Sequence, residues 1–201
     1  MKRVVLPLII IAALALITWQ FFCKSSNDKP AKEEEKQQPI TIKENSGPFN
    51  QSFALLLNAY FGLKDALVAG DTSKASAAAL SLSTASDSLK VNEIKGDSTG
   101  VIKETALNFT GTIKSSAQAL AAEKDIKAKR KEFEMIADAM WSLTRTVRYD
   151  GQKVYWQYCP MAFNNKGAYW MSNEKEIKNP YFGSEMPNCG SVEDSLDYSK
   201  N

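Results

Sequence analysis

Histidine is absent from all 201 residues. That absence removes the commonest general base, the usual nucleophilic triads, and most zinc, copper(II) and haem ligand sets. Hydrolase and oxidoreductase chemistry lose most of their machinery with it. An excess of one charge is lacking too. Lys and Arg number 25 against 23 Asp and Glu, a formal net charge of +2 with the signs mixed throughout, and the pI is near 8.3. Such a balance leaves no electrostatic footprint for nucleic acid. Cysteine is scarce, with only Cys23, Cys159 and Cys189.

What is present begins with an apolar run. Met1-Lys2-Arg3 supplies a positive start, and residues 4–22 then carry no charge, close to the ~20 residues a bilayer core requires. Basic residues ahead of the run favour an amino terminus left in the cytoplasm, with everything after it translocated. Trp19, Phe21 and Phe22 would sit at the outer interface. Ala13-Leu14-Ala15 has the small-x-small form of a cleavage site but lies inside the run. Gln20-Phe21-Phe22 are bulky where a lipidation motif before Cys23 needs small residues. Residues 1–23 are therefore expected to be an uncleaved membrane anchor, with a cleaved export signal as the competing reading. Residues 24–48 change to Lys, Glu, Ser, Gln and Pro, including Lys32-Glu33-Glu34-Glu35-Lys36, too little apolar surface to fold. They read as a flexible tether reaching roughly 25–30 Å.

Residues 49–201 read as one domain, mainly α: an up-down four-helix bundle followed by a short β-hairpin. Phe53, Leu56, Leu57, Tyr60, Leu63 and Leu67 recur at helical spacing, opened by Asn50 or Ser52 and closed by Gly70,. Asp71 or Thr72 caps a second helix with Ala75, Ala78, Ala79, Leu82 and Leu89 on its buried side. Gly96-Asp97-Ser98 marks a break. Ile102, Ala106, Phe109, Ile113, Ala117 and Leu120 form a third stripe. Phe133, Ile136, Ala137, Met140, Leu143 and Val147 form a fourth, separated from the third by the charged residues 123–131,. Within that stretch Lys127, Lys129, Arg130 and Lys131 are expected to be a solvated helix face rather than an anion or headgroup site.

After Asp150-Gly151 the pattern changes. Val154-Tyr155-Trp156-Gln157-Tyr158 favours a strand, Asn164-Asn165-Lys166-Gly167 a turn, and Ala168-Tyr169-Trp170-Met171 a second strand pairing back,. Asn179-Pro180-Tyr181-Phe182-Gly183 is a further tight turn. The aromatic residues here are read as core.

The C-terminal segment, about 150–196, holds Cys159-Pro160-Met161 and Met186-Pro187-Asn188-Cys189, with Met171 between them. Soft sulfur ligands without imidazole select copper(I) or silver(I), so Cys159, Met161, Met186 and Cys189, with Met171 as a further sulfur, are the candidate metal ligands. Spacing alone slightly favours a Cys159–Cys189 disulfide closing a loop of about 30 residues, worth ~3–4 kcal/mol, with the methionines packing. Two buried free thiols are a third option. Asp150, Glu174, Glu176 and Glu185 near this segment are the carboxylates an enzyme reading would draw on as acid and base, and nothing in the sequence pairs them,. No catalytic residue is assigned.

At these residues the sequence resembles a bacterial family of unknown function, of the DUF3347 type. Val154-Tyr155-Trp156-Gln157-Tyr158-Cys159-Pro160-Met161-Ala162, Lys166-Gly167-Ala168-Tyr169-Trp170, the run 176–183 and the run 186–190 carry the resemblance in order. Tyr60, Leu63-Lys64, Ala66-Leu67 and Asp71 extend it into the helices. Pro187-Asn188 departs from the family pattern, where Leu-Thr-like residues are expected. The family occurs alone in exported proteins and at the carboxyl end of periplasmic adaptor subunits of RND-type copper/silver efflux systems. The resemblance therefore implies a periplasmic domain on an inner-membrane anchor, associated with heavy-metal handling, with an efflux adaptor or pump as partner. It tips the cysteine–methionine set toward copper(I) or silver(I).

Overall fold

Four helices account for most of residues 45–200, the stretch that the computed structural model describes. They are α1 (Gly47–Val68), α2 (Thr72–Asp87), α3 (Val101–Ala122) and α4 (Ile126–Val147). The apolar run at 4–22 and the tether up to residue 44 lie outside the described residues. Among the described residues no helix is long and apolar enough to cross a membrane.

Each helix starts where a side chain takes up a free N–H group. The cap of α1 is Ser46, whose hydroxyl accepts the Phe49 N–H at 3.2 Å, with Pro48 in the first turn,. The helix thus begins a turn before the expected cap. Asn50 and Ser52 serve other contacts: Asn50 Nδ2 donates to Asp150 Oδ1 at 2.8 Å, and Ser52 Oγ accepts the Lys90 N–H at 3.1 Å. Asp71 caps α2 through the Lys74 N–H at 2.9 Å. Asp97 takes the Lys103 N–H in the first turn of α3 at 2.8 Å. Asp125 accepts from Lys127 and Ala128 at 2.9 and 3.0 Å, so residues 126–131 are the opening turns of α4 rather than a separator. Successive helices pack on one another, α1 on α2, α2 on α3 and α3 on α4, around a shared apolar core.

The basic cluster departs from the expected solvated face. Lys127 and Lys131 are exposed, but Lys129 and Arg130 are buried. Lys129 Nζ donates to the Leu120 carbonyl at 2.9 Å and to Ser76 Oγ at 2.6 Å, and Arg130 Nη2 donates to the Leu67 carbonyl at 3.1 Å. Those carbonyls lie in the last turns of α3 and α1. Helix ends leave such acceptors unpaired and carry partial negative charge. The two inward cations therefore close two helix C-termini from a third helix.

The C-terminal part forms a three-stranded antiparallel sheet in the order β2-β1-β3, with β1 at Val154–Cys159, β2 at Ala168–Ser172 and β3 at Ser191–Leu196. The expected hairpin is β1–β2, in register from Tyr155 opposite Ser172 to Cys159 opposite Ala168. The third strand is an addition. Its residues, Ser-Val-Glu-Asp-Ser-Leu, lie at an edge and are mostly exposed, so they carry no strong apolar alternation,. At the hairpin turn Phe163, Asn164, Asn165 and Gly167 all have positive φ. A Cβ on Gly167 would meet Tyr158 Oη at 2.0 Å,.

Side chains alternate across the sheet. One face carries Trp156, Tyr169 and Met171 against α4. Trp156 stacks between Trp141 and Tyr169 with centroid separations of 4.8 and 5.2 Å. The other face carries Gln157, Cys159 and Trp170 and is covered by the loop at 173–190.

Candidate functional site

Two buried amides fix that loop over the sheet. Gln157 is fully buried, and its Nε2 donates to the carbonyls of Glu174, Lys175 and Glu176 at 2.9, 3.2 and 3.1 Å. Asn179 is fully buried as well. Its Oδ1 accepts the N–H groups of Tyr181 at 2.8 Å and Phe182 at 3.2 Å, while its Nδ2 donates to the Cys189 carbonyl at 2.7 Å. The Asn179 N–H also reaches the Pro187 carbonyl at 2.9 Å. The Asn-Pro turn is thus the clamp that holds the strand of chain bearing Cys189. Gly190 follows with φ +145, where a Cβ would lie 2.7 Å from the Tyr158 carbonyl oxygen and 2.9 Å from the Trp170 ring,.

These constraints bring Cys189 against Cys159 at the end of β1. The two sulfur atoms stand 2.7 Å apart without a bond between them. Cys159 is fully buried and Cys189 half-buried. Burial pushes the Cys189 thiol up from its ordinary value; the hydrogen bond and charge of Cys159 add to the rise, and the Met161 backbone N–H opposes it,.

Of the sulfurs read from the sequence, Cys159 and Cys189 meet. Met161 lies two residues beyond the end of β1, is 47% exposed and brings its backbone N–H to Cys189. The Met186 carbonyl accepts the Cys189 N–H at 3.3 Å, closing the turn between them, and its side chain is half-buried. Met171 does not join the set. It lies on the opposite face of the sheet, fully buried, with its Sδ 3.8 Å from the Thr144 hydroxyl on α4. Strand alternation separates it from Cys159, since Cys159 faces with Ala168 and Trp170,.

The nearby carboxylates are dispersed. Asp150 accepts from Asn50 and from the Asn45 N–H, at 2.8 and 3.4 Å. Glu174 and Glu176 face Lys178, and Glu185 lies near Arg130. Among the described residues no three Cys, His, Asp or Glu side chains converge on a point where they could hold a metal ion.

Gln157 and Asn179 are the functional positions that sequence reasoning missed. A signal existed for both: a polar residue inside an aromatic strand, and an Asn ahead of Pro in a turn.

The family model described as Protein of unknown function (DUF3347) matches residues 56–151. The chain carries a DUF3347 domain. The matched stretch runs from within α1 to just beyond α4, so it is the helical body of the DUF3347 domain, and both cysteines lie after it. No curated protein and no solved structure matches the chain.

Proposed function

We propose that this chain is a non-enzymatic, membrane-anchored domain of the bacterial envelope, with its four helices in up-down order as a partner-docking body. Its periplasmic C-terminal segment is stapled by a Cys159–Cys189 disulfide. The observation that carries the reading is the 2.7 Å between the sulfurs. Two sulfurs bound to one metal at ~2.3 Å each lie about 3.8 Å apart at a tetrahedral angle, and farther apart in linear geometry. The observed spacing falls well inside that and close above the ~2.05 Å of a disulfide. Export past residues 4–22 into an oxidising compartment supplies the chemistry that forms the bond. Peptide mapping without reductant, on protein taken from its own compartment, should recover Cys159 and Cys189 in one linked pair. Two free thiols in that sample would overturn the staple.

A second reading is favoured by Met161, which is 47% exposed and whose backbone N–H reaches Cys189. In the reduced protein Cys159 and Cys189, with Met161 and Met186, would take copper(I) or silver(I) as cargo for an RND-type efflux adaptor or pump. The sulfurs would have to separate by about 1 Å to admit the ion. Anaerobic copper(I) titration of the reduced chain should then show one tight site that is lost in the Cys159→Ser, Cys189→Ser double variant. No binding by the reduced chain removes this reading.

A further inference from the structure

We infer that Cys189 is the sulfur through which this pair exchanges electrons with a dithiol oxidoreductase bearing a Cys-x-x-Cys pair, while Cys159 is the inner sulfur that leaves and re-forms. The inference rests on the stapled reading. Its basis is the asymmetry of the two positions. Cys159 ends a central strand, is fully buried, and faces a side of the sheet closed over by residues 173–190. Cys189 sits in that covering loop and keeps solvent access. A thiolate must reach a disulfide sulfur directly, so access selects the sulfur that is attacked.

The surroundings suit a protein rather than a small reductant. Met161, 47% exposed, and the half-buried Met186 both meet Cys189 through their backbones, and methionine is enriched in protein interfaces. The backbone on both sides of Cys189 is held, by Asn179 at its carbonyl and by the Met186 turn at its N–H. The backbone of Cys189 is therefore held beside Cys159.

The exchange balances as follows. The partner thiolate attacks Cys189 Sγ, the Cys189–Cys159 bond breaks, and its electron pair passes to Cys159 sulfur, which takes a proton from solvent. The second partner thiol, deprotonated, attacks the partner sulfur of the mixed disulfide. Cys189 leaves with the electron pair and is protonated, and the partner departs as its own disulfide. Two electrons move from partner to pair, and the reverse sequence installs the staple.

The test uses the oxidised full chain in detergent and a Cys-x-x-Ser variant of a periplasmic dithiol oxidoreductase, which stalls at the mixed disulfide. Mass mapping should place the trapped link on Cys189 at least about tenfold over Cys159. A link on Cys159, an even split, or no link from a trap that still reacts with a small disulfide overturns the inference. Absence of the Cys159–Cys189 bond before mixing refutes the staple itself, a separable result. Brief iodoacetamide treatment of the reduced wild-type chain supplies a check free of mutation, with Cys189 expected to be modified first and Cys159 only on unfolding.

Discussion

Replacing Asn179 with Ala removes the clamp on the Cys189 loop without touching either sulfur. Three hydrogen bonds disappear, two to the N–H groups of Tyr181 and Phe182 and one to the Cys189 carbonyl. An orphaned buried group costs roughly 1–3 kcal/mol. The Tyr181 N–H is buried and is left with the full penalty, whereas the other two groups are part-buried and recover some of theirs from water. The sum is about 3 kcal/mol, or a fall in Tm of about 6–12 °C for a domain of this size. Urea and thermal unfolding of the reduced and oxidised chain measure it. The reduced protein should show the full loss, and its Cys189 should become easier to alkylate. The oxidised protein should lose less, because the bond still restrains the loop. A loss below about 1 kcal/mol in both forms would refute the assignment of Asn179 as the clamp.

Met171→Ala should cost about 2–4 kcal/mol by opening a cavity against α4 yet leave copper(I) binding of the reduced chain unchanged, as titration and unfolding together would show. Met161→Ala should do the converse, shifting stability by less than about 0.5 kcal/mol because the side chain is exposed while weakening any copper(I) affinity. Lys129→Met should destabilise by about 1–2 kcal/mol through the lost bonds to the Leu120 carbonyl and Ser76. Burial depresses the folded-state Lys129 ammonium, so the unfolded chain binds more protons in the alkaline range. The Lys129 contribution to stability should therefore rise with pH toward about 10.5, read in the oxidised chain as a difference between wild type and variant that changes in favour of wild type as pH increases. The Cys189 thiol is raised instead, so the folded reduced chain binds more protons than the unfolded one. Its alkylation rate should go on climbing above pH ~8.5, where an ordinary thiol levels off, and the stability of the reduced form should fall over the same range.

The helices were legible because their apolar residues recur at a spacing that only a helix turns into one face. Phe53 through Leu67 and Phe133 through Val147 are all-or-nothing patterns of this kind. Their ends were less legible. Ser46 lies a turn before the stripe begins, and nothing in the pattern distinguishes it from Asn50 or Ser52. Lys129 and Arg130 were misread because charge in sequence signals solvent. Their burial depends on the carbonyl ends of α1 and α3, which are local in space and distant in the chain. Strand β3 was invisible for a related reason. An exposed edge strand is held by backbone bonds to β1 and needs no apolar alternation.

At the site, the pairing of Cys159 with Cys189 was open in the sequence as one of several arrangements, and strand alternation was enough to remove Met171 once the register was known. The family match covers the helical body, into which the resemblance only extended, and stops before the ordered runs at 154–190 that carried it. The chain therefore joins a helical body that carries the DUF3347 match to a clamped thiol segment that follows it, and the two parts are open to separate tests.

The most direct test measures thiol state and bound metal together on protein taken from its own membranes under argon, with alkylation before any reductant is added. The account predicts no free Cys159 or Cys189, one linked peptide pair per chain, and no stoichiometric copper or silver. Two alkylatable thiols accompanied by one equivalent of copper or silver would contradict it.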